Sequence, residues 1–116
     1  MTSTVTELVI DSADPELLGR FWSEVLGYEV EDSTDDDVFI TGPDGGPGIL
    51  FLKNPDGKRG KNRVHLDVTP EGDQMAEVAR LEQLGATRVN IGQSDHCSWV
   101  VMADPEGNEF CVLDPD

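Results

Sequence analysis

Lys61-Asn62-Arg63-Val64-His65-Leu66-Asp67-Val68 decides how this 116-residue chain is read. Val64, Leu66 and Val68 alternate with Arg63, His65 and Asp67, the period of a half-buried β-strand, and the expected strand runs from Arg63 to Thr69. What surrounds it makes it more than one strand. Pro70 to Asp73 breaks the pattern, and Met75, Val78, Ala79, Leu81 and Leu84 give a helical stripe that ends at Gly85. A weak strand is expected over Thr87–Ile91, a strong one over Ser98–Ala103, and a last one over Glu109–Leu113 after the turn residues Asp104-Pro105-Glu106-Gly107-Asn108.

The first half of the chain has the same order. Thr4 to Asp11 alternates, with Leu8 and Ile10 on one face and Glu7 and Val9 on the other. Asp14 is the N-cap of a helix with Pro15 at its first position. Leu17, Leu18, Phe21, Trp22, Val25 and Leu26 form its apolar stripe, and Gly27 ends it. Three short strands follow, over Tyr28–Glu31, Val38–Thr41 and Ile49–Lys53, parted by turns rich in Asp, Gly and Pro.

Aligning Leu26-Gly27 on Leu84-Gly85 lays Glu7-Leu8-Val9-Ile10 over His65-Leu66-Asp67-Val68. Leu8 and Ile10 then match Leu66 and Val68, facing their helices, while Glu7 matches His65 and Val9 matches Asp67 on the opposite face. The expected fold is α+β, a single domain of two βαβββ modules: module one at about 4–56, a connector at 57–61 and module two at about 62–116. Each module covers one face of its sheet with a helix, and the two curved mixed sheets are expected to enclose a cup.

Composition excludes several classes. Twenty-four acidic residues against eight basic ones give a net charge of −16, which rules against nucleic acid as a partner. No window is long and apolar enough for a membrane span, and no basic-then-apolar leader opens the chain, so a cytoplasmic protein is expected. Five of the eight bases, Lys53, Lys58, Arg59, Lys61 and Arg63, crowd into one connector able to dock a carboxylate or phosphate. Cys97 and Cys111 are expected to stay reduced. If the last two strands form a hairpin, Cys111 pairs near Val101 and Cys97 lies roughly 13 Å further along, beyond the Cα limit of about 7 Å for a disulfide.

With this order and these motifs, the chain resembles the vicinal oxygen chelate superfamily. The resemblance rests on Asp14-Pro15 leading to Phe21-Trp22 and Leu26-Gly27-Tyr28, on Arg63 to Val68, on Leu84-Gly85-Ala86, and on Asp104-Pro105-Glu106-Gly107-Asn108-Glu109-Phe110. It implies the glyoxalase/bleomycin resistance/dihydroxybiphenyl dioxygenase-like fold and, within it, the small glyoxalase-like branch. It also implies ligands from the first and last strands of each module, which fall here on Glu7 and His65, with Cys111 where such members carry Glu. The implied metal is one divalent ion, Zn, Ni, Mn or Fe, held by His65, Glu7 and Cys111.

Three functions are open on this reading. The first is a small-molecule binding protein with an incomplete metal site, in which Arg63, Asp67, Phe51 and Trp99 are candidate ligand contacts. The second is a metal-dependent lyase, isomerase or epimerase with Glu7 and His65 as catalytic groups. The third is a bleomycin-resistance-like protein that sequesters an antibiotic. A homodimer is expected in each case.

Overall fold

The computed structural model describes residues 2–58, 60–89 and 98–115, and divides into two compact units, 1–57 and 58–116. In the first unit the chain runs β1 (Glu7–Ser12), α1 (Pro15–Leu26), β2 (Glu29–Ser33), β3 (Asp37–Thr41) and β4 (Gly48–Lys53). In the second it runs β5 (Asp67–Val68), α2 (Gln74–Leu84), β6 (Thr87–Arg88), β7 (Trp99–Ala103) and β8 (Glu109–Leu113). The sheets have strand orders β1-β4-β3-β2 and β5-β8-β7-β6, and in each the first strand pairs parallel to the last. These are the two βαβββ modules expected, in mixed sheets of an α+β fold.

In the first unit Asp14 caps α1, its Oδ1 accepting from the Leu17 N–H at 3.3 Å, and Gly27 closes the helix at φ 68°, where a side chain is disfavoured. The helix buries Leu18, Phe21, Trp22 and Val25, with the Phe21 and Trp22 rings edge to face at 5.2 Å. Gly19 lets it approach β3, since a Cβ there would stand 2.5 Å from Cγ1 of Val38. Val38 and Ile40 therefore face α1. In register, so do Phe51 and Ile49 on β4, and Ile10 and Leu8 on β1. Glu7, Val9 and Leu50 occupy the opposite face.

The second unit is held more lightly. Asp73 caps α2, its Oδ2 accepting from the Ala76 N–H at 2.9 Å, but the helix buries only Val78 and Leu81. Met75, read from the sequence as part of the buried stripe, is 47% exposed. The Gln74 amide compensates by donating to the Ser98 and Val112 carbonyls, at 3.0 and 3.1 Å. Phe110, Val112 and Met102 form the core on the helix side of this sheet.

The expected strand over 63–69 is corrected to Asp67–Val68. The parallel register pairs Asp67 with Cys111 and Val68 with Val112. Carried backwards, it sets Arg63 and Val64 against Gly107 and Asn108, which belong to the turn before β8 and offer no ladder. Val64 is accordingly 71% exposed, and the Asn62 amide substitutes by donating to the Val64 and Glu109 carbonyls at 3.3 and 3.4 Å. The expected strand at Thr87–Ile91 shortens to Thr87–Arg88, and its end lies outside the described residues.

The β7–β8 turn is built on Asp104, 4% exposed. Its carboxylate accepts from the Glu106 and Asn108 N–H groups, at 2.9 and 3.0 Å, and from the Asn108 amide. Asp104→Ala is expected to cost about 1–3 kcal/mol by stranding these donors, measured by urea unfolding.

Candidate functional site

The face of the second sheet away from α2 brings three metal-ligating side chains together. Asp67 and Cys111 are register partners on β5 and β8, and Val101 is the partner of Cys111 on β7, so their side chains emerge side by side. Leu66 carbonyl accepts from the Cys111 N–H at 2.9 Å and fixes that register. His65, two residues before Asp67, points to the same side, and its Nε2 lies 3.1 Å from Asp67 Oδ1. The donor atoms of His65, Asp67 and Cys111 all lie within 4.8 Å of one another.

These side chains border a cavity of about 300 Å³. Trp99, Val101 and Leu113 form its apolar wall, and Lys61 and Glu109 stand on its rim with the three donors. Trp99 is 41% exposed. The volume is at the lower end of small-molecule sites.

Electrostatics separate the two ionisable groups of β8. Burial alone would raise the Glu109 carboxyl. The Lys58 ammonium, 3.1 Å from Oε2, outweighs it together with the backbone N–H groups of Glu109 and Asn62, and the carboxyl lies below its ordinary 4.5. Cys111 moves the other way. Burial comes first, then the Asp67 charge and its hydrogen bond to the thiol, and Lys61 only partly offsets them, so the thiol stays protonated above its ordinary range. A protonated thiol beside a carboxylate is a poor nucleophile. It is a competent metal ligand, because a cation can replace the proton.

The donor set fits a divalent ion. Tetrahedral ligands at zinc-type bond lengths stand roughly 3.5 Å apart, so a spread of at most 4.8 Å closes through small side-chain rotations. One nitrogen, one oxygen and one sulfur leave a coordination position for water or a ligand.

Other expected site residues fall differently. Glu7 is half-buried on β1, on the face away from α1. Phe51, expected as a ligand contact, is corrected to a core residue: it is 0% exposed and lies on the α1 face with Val38 and Ile10. Arg63 is exposed on the bend before β5 and does not border the cavity. His96 and Cys97, with any pairing of Cys97, lie outside the described residues. Cys111 is a free thiol. Glu109 and Leu113 were not singled out as site residues from the sequence, though alternation along β8 could have found them, since they keep the parity of Cys111. Lys61, named there only within the basic connector, borders the cavity.

A glyoxalase-like domain family matches residues 7–113, and the chain belongs to it. The fold is that of the glyoxalase/bleomycin resistance/dioxygenase superfamily. A glyoxalase/bleomycin resistance protein/dioxygenase family enzyme from Burkholderia phytofirmans is 18% identical, over 95% of this chain and 97% of that one, at TM-score 0.74. The fosfomycin resistance protein FosX from Mesorhizobium loti is 12% identical, over 97% and 92%, at 0.72. Glyoxalase I from Leishmania major is 18% identical, over 98% and 88%, at 0.68. No curated protein matches the sequence. Among the described residues no helix is long and apolar enough to cross a membrane.

Lys58→Met is expected to raise the Glu109 pKa, followed by carboxyl NMR. A depressed folded-state pKa means that the pair stabilises the fold above the unfolded carboxyl's pKa and that this stabilisation is lost as pH falls through the depressed value. The wild-type advantage over Lys58→Met is therefore at most about 1 kcal/mol at pH 7 and vanishes in acid.

Proposed function

We propose that this chain binds a small organic molecule in the cavity over β7 and β8, beside one divalent cation held by His65, Asp67 and Cys111. The observation that carries this reading is the meeting of an apolar wall with three metal-ligating donors at one cavity. Asp67 enters the ligand set in place of Glu7, since it comes from the same unit as His65 and Cys111. A bound cation would serve as a Lewis acid toward an oxygen of the guest. The wall formed by Trp99, Val101 and Leu113 would hold the guest's body and exclude water.

The donor set favours thiophilic ions. Sulfur and imidazole suit zinc, cobalt or nickel, whereas magnesium and calcium prefer all-oxygen shells. Titration with Co²⁺ is expected to give a sulfur-to-metal charge-transfer band, with affinity rising as pH rises because binding displaces the thiol proton. Cys111→Ser abolishes the band, and His65→Ala weakens binding by roughly tenfold or more. A wild-type protein that gives no such band, or a Cys111→Ser protein that keeps it, removes this reading.

A second reading, a lyase, isomerase or epimerase, is supported by the His65–Asp67 pair. A carboxylate on Nε2 fixes the imidazole tautomer and leaves Nδ1 as the ring's proton-transfer site. Glu7 would be the second acid–base group on the strength of the family resemblance. The antibiotic-sequestering reading draws on the fosfomycin resistance protein among the structural neighbours; thermal-shift screening that finds no stabilising antibiotic would leave it without support.

A further inference from the structure

Lys61 is the cation on the cavity rim, and it makes no hydrogen bond or ion pair with any described residue. The other charges at the site are answered. Lys58 lies 3.1 Å from Glu109 and its ammonium also donates to the Gly60 carbonyl. Asp67 lies against the His65 ring at 3.1 Å. On the reading above, a divalent cation would also balance Asp67 and the Cys111 sulfur. What is left over is one ammonium beside an apolar wall.

The chain's charge makes this placement specific. Residues 1–57 carry thirteen acids and two bases, and residues 58–116 eleven acids and six bases. The long-range field of a molecule at −16 opposes an approaching anion. That field is screened over about 8–10 Å in physiological salt, whereas direct contact with an ammonium beside an apolar wall is screened less.

The wall narrows the guest's body. Trp99, 41% exposed, lines the cavity with Leu113 and Val101, an aliphatic and aromatic surface that suits a flat ring system. At about 300 Å³ the cavity has room for a small bicyclic body rather than a large one.

We infer that the cavity selects small planar molecules carrying a carboxylate or other anionic oxygen group, and that Lys61 is the residue that sets this preference. The inference rests on the proposed cavity reading and deepens it.

Three probes of nearly equal shape separate the possibilities: indole-3-acetate, its neutral amide and the cation tryptamine. Each is titrated into the metal-free protein, so that no cation competes with Lys61 for the carboxylate, and binding is read from the Trp99 indole NMR signal, assigned with Trp99→Phe. The acetate is expected to bind roughly threefold to tenfold tighter than the amide, with tryptamine weakest. Lys61→Met should bring the acetate to the level of the amide, while the thermal stability of the protein stays unchanged. Equal binding of acetate and amide, or acetate binding untouched by Lys61→Met, overturns the inference while the cavity stands. If none of the three moves the Trp99 signal, the cavity reading falls and the inference with it.

Discussion

The parallel pairing of β5 with β8 is the contact on which the site depends. Two residues of ladder, Asp67 with Cys111 and Val68 with Val112, bring the start of the second unit against its last strand. Alternation then does the rest. Val68 and Val112 turn to the helix and the core, and Asp67 and Cys111 turn to the other face, where Val101 and Trp99 already stand on β7. A slip of one residue would exchange these sets, burying the carboxylate under α2 and exposing the core. The Leu66–Cys111 backbone hydrogen bond and the Asn62 amide guard against it where the ladder is too short to do so alone.

The first unit makes the same pairing with different side chains, and that comparison isolates the chemistry. There Val9 pairs with Leu50 and Glu7 with Gly48. Leu50 thus takes the place of Cys111 and Val9 that of Asp67. One backbone arrangement gives a donor cluster in one unit and a largely apolar sheet face in the other. The internal repeat is a repeat of topology, and the donor cluster of the second unit differs from its counterpart at Val9/Asp67 and Leu50/Cys111, with Glu7 in the place of His65.

How much of this the sequence disclosed follows from which constraints are local. Helix limits were legible because caps are local: Asp14 with Pro15, and the glycines at 27 and 85, act within a turn of their helices. The hairpin that sets Cys111 opposite Val101 was legible because five turn residues fix its register. The strand at 63–69 was over-read, since alternation of Val64, Leu66 and Val68 reports side-chain polarity and not whether a partner strand exists. Its partner ends at Glu109, and only the long-range register reveals that. Phe51 was misplaced for a related reason. In the run Ile49-Leu50-Phe51-Leu52 every residue is apolar, so parity is invisible, and only pairing with Val38 and Ile10 shows which face it joins.

The His65–Asp67–Cys111 cluster also explains why its members look unremarkable one by one. A half-exposed histidine paired to an aspartate is what a surface ion pair looks like, and a half-buried thiol is what a small core residue looks like. Their combination is what sets them apart. Burial first, then the Asp67 charge and its hydrogen bond, hold the thiol's proton more tightly, so a neutral thiol sits beside the carboxylate. The first unit has Leu50 at the place of Cys111 and therefore no such cluster. With sulfur, carboxylate and imidazole together beside a cavity, a cation could displace the thiol proton and take its place among the three donors, which is what the proposed site requires.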